Sequence, residues 1–272
     1  MATDYLFWTN MIFLVIGLSL NAFGIYCLVK YQQCSNKHNV LLINLSLIEI
    51  IKCTIYLLYL PIISVDMSVN VLFHVIVQFL LEMTSIAFGL TLVFILADRF
   101  LCVFLHIKYK QKVTMFRLKV ACLLCWFVGI LATSPILILH TYLKVILNVY
   151  HLKVSPVISI FLLLLTICVY TYITYKIKLS RQCFHVPQSH KEQRMINKKQ
   201  FIIPCIIIMS FILCVGVPNM LHFVSNSYAT EHADVINKIG ELLWIINFTS
   251  DPVVYIFLNK NIRRIALGLV CK

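Results

Sequence analysis

The sequence predicts an all-α membrane protein, a seven-transmembrane helix bundle with a short C-terminal amphipathic surface helix. Three observations carry this. The 272 residues are 61% hydrophobic and only 12% charged, where a soluble domain carries roughly 25% charged residues. Seven unbroken apolar stretches each reach the length a bilayer-crossing helix needs, about 20 residues. These stretches lack the period-two alternation of barrel strands, which excludes a transmembrane β-barrel.

The stretches fall at about 6–30, 38–63, 70–104, 116–138, 153–178, 197–223 and 235–259, with the surface helix at about 260–270. They form one domain over 1–272, without an internal repeat. The first run begins at Tyr5 and reaches Lys30. That is too long for a signal-peptide core, and no small-residue cleavage site ends it, so it reads as the first span.

Lysine and arginine orient the bundle. The segments after spans one, three and five, together with the tail, hold 19 of the 23, among them Lys30, Lys37, Lys108, Lys110, Arg117, Arg181, Lys191, Lys198, Arg263 and Arg264. The positive-inside rule makes those segments cytoplasmic and the N-terminus extracellular. The net charge of +13 is therefore a topology signal, and no nucleic-acid partner is expected. Of the eleven cysteines, Cys27, Cys53, Cys168, Cys205 and Cys214 are mid-span, while Cys34, Cys183 and Cys271 are cytoplasmic. No structural disulfide is expected, because cytosolic thiols stay reduced. Cys122 and Cys125 have CxxC spacing, but inside an apolar helix they read as small core residues rather than zinc ligands.

One segment breaks the apolar pattern. Ser46-Leu47-Ile48-Glu49-Ile50-Ile51-Lys52-Cys53-Thr54 puts a carboxylate and an amine inside span two. A charge at the centre of a spanning helix costs about 2.5–3.5 kcal/mol on insertion scales, so such residues are functional by default.

The other polar signals recur one per span. Ala97-Asp98-Arg99-Phe100 closes span three, and Asp251-Pro252-Val253-Val254-Tyr255 lies near the end of span seven. Trp126 with Pro135 marks span four, Pro218 lies within span six, Asn21 in span one, and Asn44-Leu45-Ser46-Leu47-Ile48-Glu49 in span two. In this order the motifs resemble the class A (rhodopsin-like) G-protein-coupled receptors, from Asn21 to the tail.

The resemblance implies a working scheme. Asp98-Arg99-Phe100 matches the Asp-Arg-Tyr whose arginine contacts the G protein in the active state. An arginine held by an adjacent aspartate is a two-state element, paired when closed and released when open. Asp251-Pro252-Val253-Val254-Tyr255 matches Asn-Pro-x-x-Tyr, and its proline kinks the helix. Tyr255 and Tyr170 match tyrosines that swing inward on activation, and Pro218 matches the proline about which span six swings outward. Asn21, Asn247 and Pro252 complete the expected activation core with Glu49, Lys52, Pro218 and Asp251. Glu49 aligns with the family's span-two aspartate, which lines a water and sodium pocket, and Asp251 replaces the asparagine facing it. Two buried carboxylates repel, so one takes up a proton or both share a cation such as Na+. Lys52, three residues after Glu49 and on the same helix face, is placed to neutralise it. No other cofactor, no metal site and no enzymatic activity are expected.

The chain departs from the family at several points. Phe88 stands at the position of the span-three sodium serine. Val215-Gly216-Val217-Pro218 replaces Cys-Trp-x-Pro, so the toggle tryptophan is missing. His74 replaces the span-three cysteine that bonds to the second outer loop, here about His140 to Lys153 and without cysteine. The Asp-Pro of span seven, the lost disulfide and the short loop look like the melanocortin branch, in a divergent member. Ile245 fills the position of the retinal lysine, so a light receptor is not expected.

The outer half of the bundle is expected to hold an extracellular ligand. Glu82 and Glu241 are the charged candidates, with Asp66 near the rim, and Gln78, Ser85 and Trp244 supply hydrogen bonds and an aromatic wall. Buried acids facing a cavity favour a cationic amine or basic peptide, although each acid has an internal alternative, such as Lys238. On the inner side the expected partner is a heterotrimeric G protein. Lys198 stands where some relatives carry an acid that pairs with the arginine, which implies a weaker lock and raised basal activity. The amphipathic tail 259–267 matches the family's surface helix against the lipid bilayer, and Cys271 is the lipidation candidate. The rival readings are a receptor-like protein that does not couple and a small membrane transporter, although no inverted repeat marks the latter.

Overall fold

The computed structural model describes residues 2–32, 39–65, 71–105, 109–138, 161, 164–165, 167–169, 171–172, 175, 206–207, 209–218, 220–221, 233–258 and 260–270. Tyr170, Cys271, Asp66, Lys198 and the loop 140–153 lie outside them. The described residues are helical almost throughout. Span one is Ala2–Gln32, span two Asn39–Val65, span three Val71–Leu105, span four Met115–Ile138 and span seven Ala233–Leu258. A one-turn helix, Tyr109–Lys112, joins spans three and four, and Lys260–Val270 is the surface helix. Five of these helices are long and apolar enough to cross a membrane: Phe7–Lys30, Asn39–Ile62, Leu72–Cys102, Met115–Ser134 and Lys238–Leu258. In lipid a backbone must satisfy its own polar groups, and a helix does so within one segment.

The helices are apolar outside and polar inside. Ile12, Val15, Leu123, Leu124, Phe127 and Ile130 are exposed, whereas Asn21, Asn44, Glu49, Lys52, Thr91, Asp98, Asn247 and Asp251 are buried. Lipid tails are as apolar as leucine, so burial alone gives these helices little reason to associate; close packing and interhelical hydrogen bonds do so instead. Gly129 is one contact point: a Cβ there would lie 2.8 Å from the Met83 carbonyl oxygen. Span four therefore meets span three at backbone distance.

A polar junction ties three helices together. Asn44 Nδ2 donates to Thr91 Oγ1 at 2.9 Å, and Trp126 Nε1 donates to Asn44 Oδ1 at 3.0 Å. Thr91 in turn donates to the Ala87 carbonyl at 2.7 Å. Interhelical bonds within membranes average about 0.6 kcal/mol, with a maximum near 1.7. Asn44→Ala breaks two of them, and is expected to cost roughly 1–3 kcal/mol of stability. Thermal unfolding of the purified variant in lipid checks this; an unchanged midpoint would show that the junction adds nothing.

Two prolines shape the remaining spans. Pro252 has no N–H for the carbonyl four residues back, that of Phe248. Asn21 Nδ2 supplies the missing donor at 2.8 Å, while also donating to Gly17 O at 2.9 Å. The span-one asparagine thus caps the break in span seven. In span six, Ile212–Gly216 forms a π-helical turn in which the Val217 N–H bonds to Ile212 O. It lies immediately before Pro218, and turns of this kind recur at functional sites. Gly240 of span seven lies against Pro218; a Cβ there would meet the proline Cβ at 3.5 Å, an ordinary contact.

The surface helix presents one face to the bundle. Ile262 and Ala266 are buried in the same apolar cluster as Leu28, Leu41 and Tyr255, while Arg263 and Leu267 are exposed.

Candidate functional site

The charged and polar side chains gather at three levels. At the end of span three, Asp98 and Arg99 are both buried, with Arg99 Nε 3.8 Å from Asp98 Oδ2. The arginine's Nε receives no hydrogen-bond partner among the described residues. Asp98 is held more firmly by Tyr109, whose hydroxyl donates to Oδ1. Tyr109 lies outside the spans, in the one-turn helix, and is itself buried. Burial, reinforced by the charge of Asp98, pushes its phenol well above the usual range, so it remains a donor. Phe100 stacks at 5.6 Å on Tyr172 of span five.

A second level joins spans one, two and seven. Tyr255 is fully buried and its hydroxyl shares a 2.8 Å hydrogen bond with Ser46 Oγ. Gly24 makes room for it: a Cβ on Gly24 would run into the Tyr255 hydroxyl and lie 2.8 Å from Cζ. Nearby, Glu49 and Asp251 are both fully buried, and their carboxyl groups lie within hydrogen-bonding reach of each other. Both Glu49 oxygens and Asp251 Oδ2 have no donor among the described residues. Ser250 Oγ accepts from Ser210 of span six at 2.7 Å and shares its one proton between Asn247 O at 2.9 Å and Asp251 Oδ1 at 3.4 Å. Lys52 is buried beside the pair, but its ammonium makes no direct bond to Glu49. It stands 4.9 Å above the centre of the Phe88 ring, in the field of Glu49, Glu82 and Asp251. The expected neutralisation of Glu49 by Lys52 therefore acts through the field rather than through a direct bond, with the Phe88 face beneath the lysine.

The third level lies toward the opposite end. Tyr56, Trp244 and Phe248 form an aromatic group, with Tyr56 perpendicular to Trp244 at 5.0 Å and Trp244 5.8 Å from Phe248. Glu82 is buried and accepts from Gln78 Nε2 at 3.5 Å. Both Glu82 and Glu241 act electrostatically on Tyr56. Glu241 is exposed, one turn from Lys238, whose charge it feels. The Ser85 hydroxyl is spent on its own helix, donating to Leu81 O at 2.8 Å. Further out, Tyr59 Oη and His74 Nδ1 are 2.6 Å apart, so the histidine at the missing-cysteine position ties span three to span two.

Most of the expected residues are thus brought together at one of these levels. Glu49 and Asp251 lie together with Lys52 nearby; Asp98 lies beside Arg99; Asn21 reaches span seven; Gln78 bonds to Glu82, and Trp244 packs on Tyr56. Tyr170 and Cys271 lie outside the described residues. Sequence reasoning missed Tyr109, Tyr56 and the Ser46 partner of Tyr255. Tyr56 carried a signal, since it follows Lys52 by one helical turn.

The arrangement holds a buried arginine beside an aspartate at one end, an aromatic group with acids in its field toward the other, and buried carboxyls with a tyrosine between them. A family model described as 7 transmembrane receptor (rhodopsin family) matches residues 20–255. That match spans most of the chain, and the multi-pass membrane protein described here belongs to the rhodopsin family of seven-transmembrane receptors.

Proposed function

We propose that the chain sits in the plasma membrane with its N-terminus outside and converts binding of an extracellular ligand into activation of a heterotrimeric G protein. Outward movement of span six about Pro218 is the output step. The observation that carries this reading is the Asp98–Arg99 pair, long at 3.8 Å, with the aspartate already engaged by Tyr109. An arginine so loosely held is ready to leave its aspartate for a partner. The π-helical turn before Pro218 supports a hinge in span six, since such a turn is a local departure from regular helix.

The ligand's place is the recess of Glu82, Tyr56, Trp244 and Glu241, and a cationic group is its expected chemistry. Two acids act on an aromatic group there, and a ligand cation gains from both the charge and the ring quadrupole. Cys271 is the proposed lipid anchor beside the surface helix.

The test is ligand-free activation of a panel of G proteins in cells, wild type against Arg99→Ala at equal surface expression. A wild-type signal above vector that disappears in the variant supports coupling and a weak lock. A wild-type signal no higher than vector and variant sinks the loose-lock reading and leaves either a quiet receptor awaiting its ligand or a receptor-like protein that does not couple. Tyr109→Phe is expected to move the signal the other way from a weakened lock. Without the hydroxyl, the full charge of Asp98 is left to Arg99, so ligand-free activation drops several-fold; an increase would assign Tyr109 the opposite role.

A further inference from the structure

Glu49 and Asp251 pose a charge-balance problem. Both are fully buried, they are in contact, and three of their four oxygens lack a donor among the described residues. Two touching carboxyls hold one proton between them, as like charges at that distance cannot both ionise. One negative charge then remains on the pair. A buried charge without compensation costs several kcal/mol even after relaxation, so a cation has to lie near it.

The family's answer, a bound sodium ion, does not fit the residues present. Sodium needs a shell of oxygen ligands, as hard cations do. Phe88 offers a ring where a serine oxygen is expected, and the Lys52 ammonium stands above that ring, where it would repel a second cation. The same ammonium supplies the missing charge. It is buried, it is attracted by Glu49 and Asp251, and Glu82 attracts it too. A shared proton, one carboxylate charge and one ammonium sum to zero.

We propose that Lys52 is the built-in counter-ion of the Glu49–Asp251 pair, filling the role a diffusible monovalent cation would otherwise take, with Phe88 as its seat. The proposal stands independently of coupling to a G protein. Its consequence is a latent cation site: removing the ammonium while keeping the stem leaves a buried negative charge that sodium can balance.

The experiment is thermal unfolding of the purified full-length chain in lipid nanodiscs, in sodium chloride against choline chloride at equal ionic strength. Wild type is expected to unfold at the same temperature in both. Lys52→Met, which keeps an unbranched apolar side chain over the Phe88 ring, is expected to unfold a few degrees higher in sodium, as a ligand that binds only the folded state requires. Adding both Glu49→Gln and Asp251→Asn to that variant removes the charge and is expected to abolish the difference. A sodium-specific shift in wild type overturns the proposal, as does a folded Lys52→Met that is indifferent to sodium. Should Lys52→Met alone show no cooperative transition, recovery of one in Lys52→Met/Glu49→Gln/Asp251→Asn supports the charge-balance argument, and failure to recover it overturns that argument.

Discussion

Arg99→Ala is expected to abolish ligand-free activation of the G protein while leaving the chain folded and at the cell surface. The two halves of this outcome have separate causes. In the closed arrangement the arginine contributes little to stability: its Nε is 3.8 Å from Asp98 and makes no hydrogen bond among the described residues. Asp98 keeps the Tyr109 hydroxyl after the substitution, so its carboxylate is not stranded. Stranding one partner of a buried pair is costly, but the Tyr109 hydroxyl still serves the Asp98 carboxylate, and surface expression should therefore change little. Coupling, by contrast, loses the group that leaves Asp98 and meets the partner. Arg99→Lys separates charge from shape. It restores the positive charge but not the planar fork that binds two acceptors at once, and a signal well below wild type is expected. A full signal from the lysine variant would show that charge alone suffices. Poor surface expression of both variants would move Arg99 from the switch to the structural core.

The residues in this argument differ in how visible they were beforehand. The helices were legible because lipid imposes length and apolar composition on a span, and the motifs were legible because each sits at a fixed place within one. Glu49 and Lys52 were legible as a same-face pair from their separation of three residues. That Lys52 rests on Phe88 was not, because the phenylalanine belongs to another helix and its register against span two is set by tertiary packing. The same holds for Asn21. The proline in span seven implies an orphan carbonyl at Phe248, yet nothing local says that an amide 227 residues away caps it. Ser85 was placed in the ligand recess on residue type alone. Its bond to Leu81 O is the habit of serines inside helices, which return their hydroxyl to the carbonyl four residues back. Tyr109 was illegible for a different reason. It sits among Lys108, Lys110 and Lys112, where neither hydrophobic periodicity nor charge marks a buried side chain.

Gly24→Ala is expected to give the largest loss of stability, from the addition of a single methyl group. Gly24 is buried where span one crosses the Tyr255 ring. The new Cβ would overlap the hydroxyl and lie 2.8 Å from Cζ and 3.0 Å from Cε2. The ring cannot retreat cheaply, because Tyr255 is fully buried and its hydroxyl is bonded to Ser46 at 2.8 Å. Overpacking of a filled core costs about 1–3 kcal/mol, and losing the Ser46 bond adds roughly 0.5–1.5. Thermal unfolding in nanodiscs measures the sum. Tyr255→Leu provides the control: with the ring tip gone, Gly24→Ala in that background should cost far less than in wild type, since contacting residues couple in a double-mutant cycle. If the two costs add, the clash with Tyr255 is not what Gly24 avoids. The direction of the functional effect follows from the same contact. If a ring pushed off span one moves inward, as the family resemblance implies for activation, Gly24→Ala should raise ligand-free signal per folded receptor even as it lowers the amount of receptor. A destabilised variant with no gain in signal per receptor would separate the Tyr255 pocket from the switch and leave it a packing site alone.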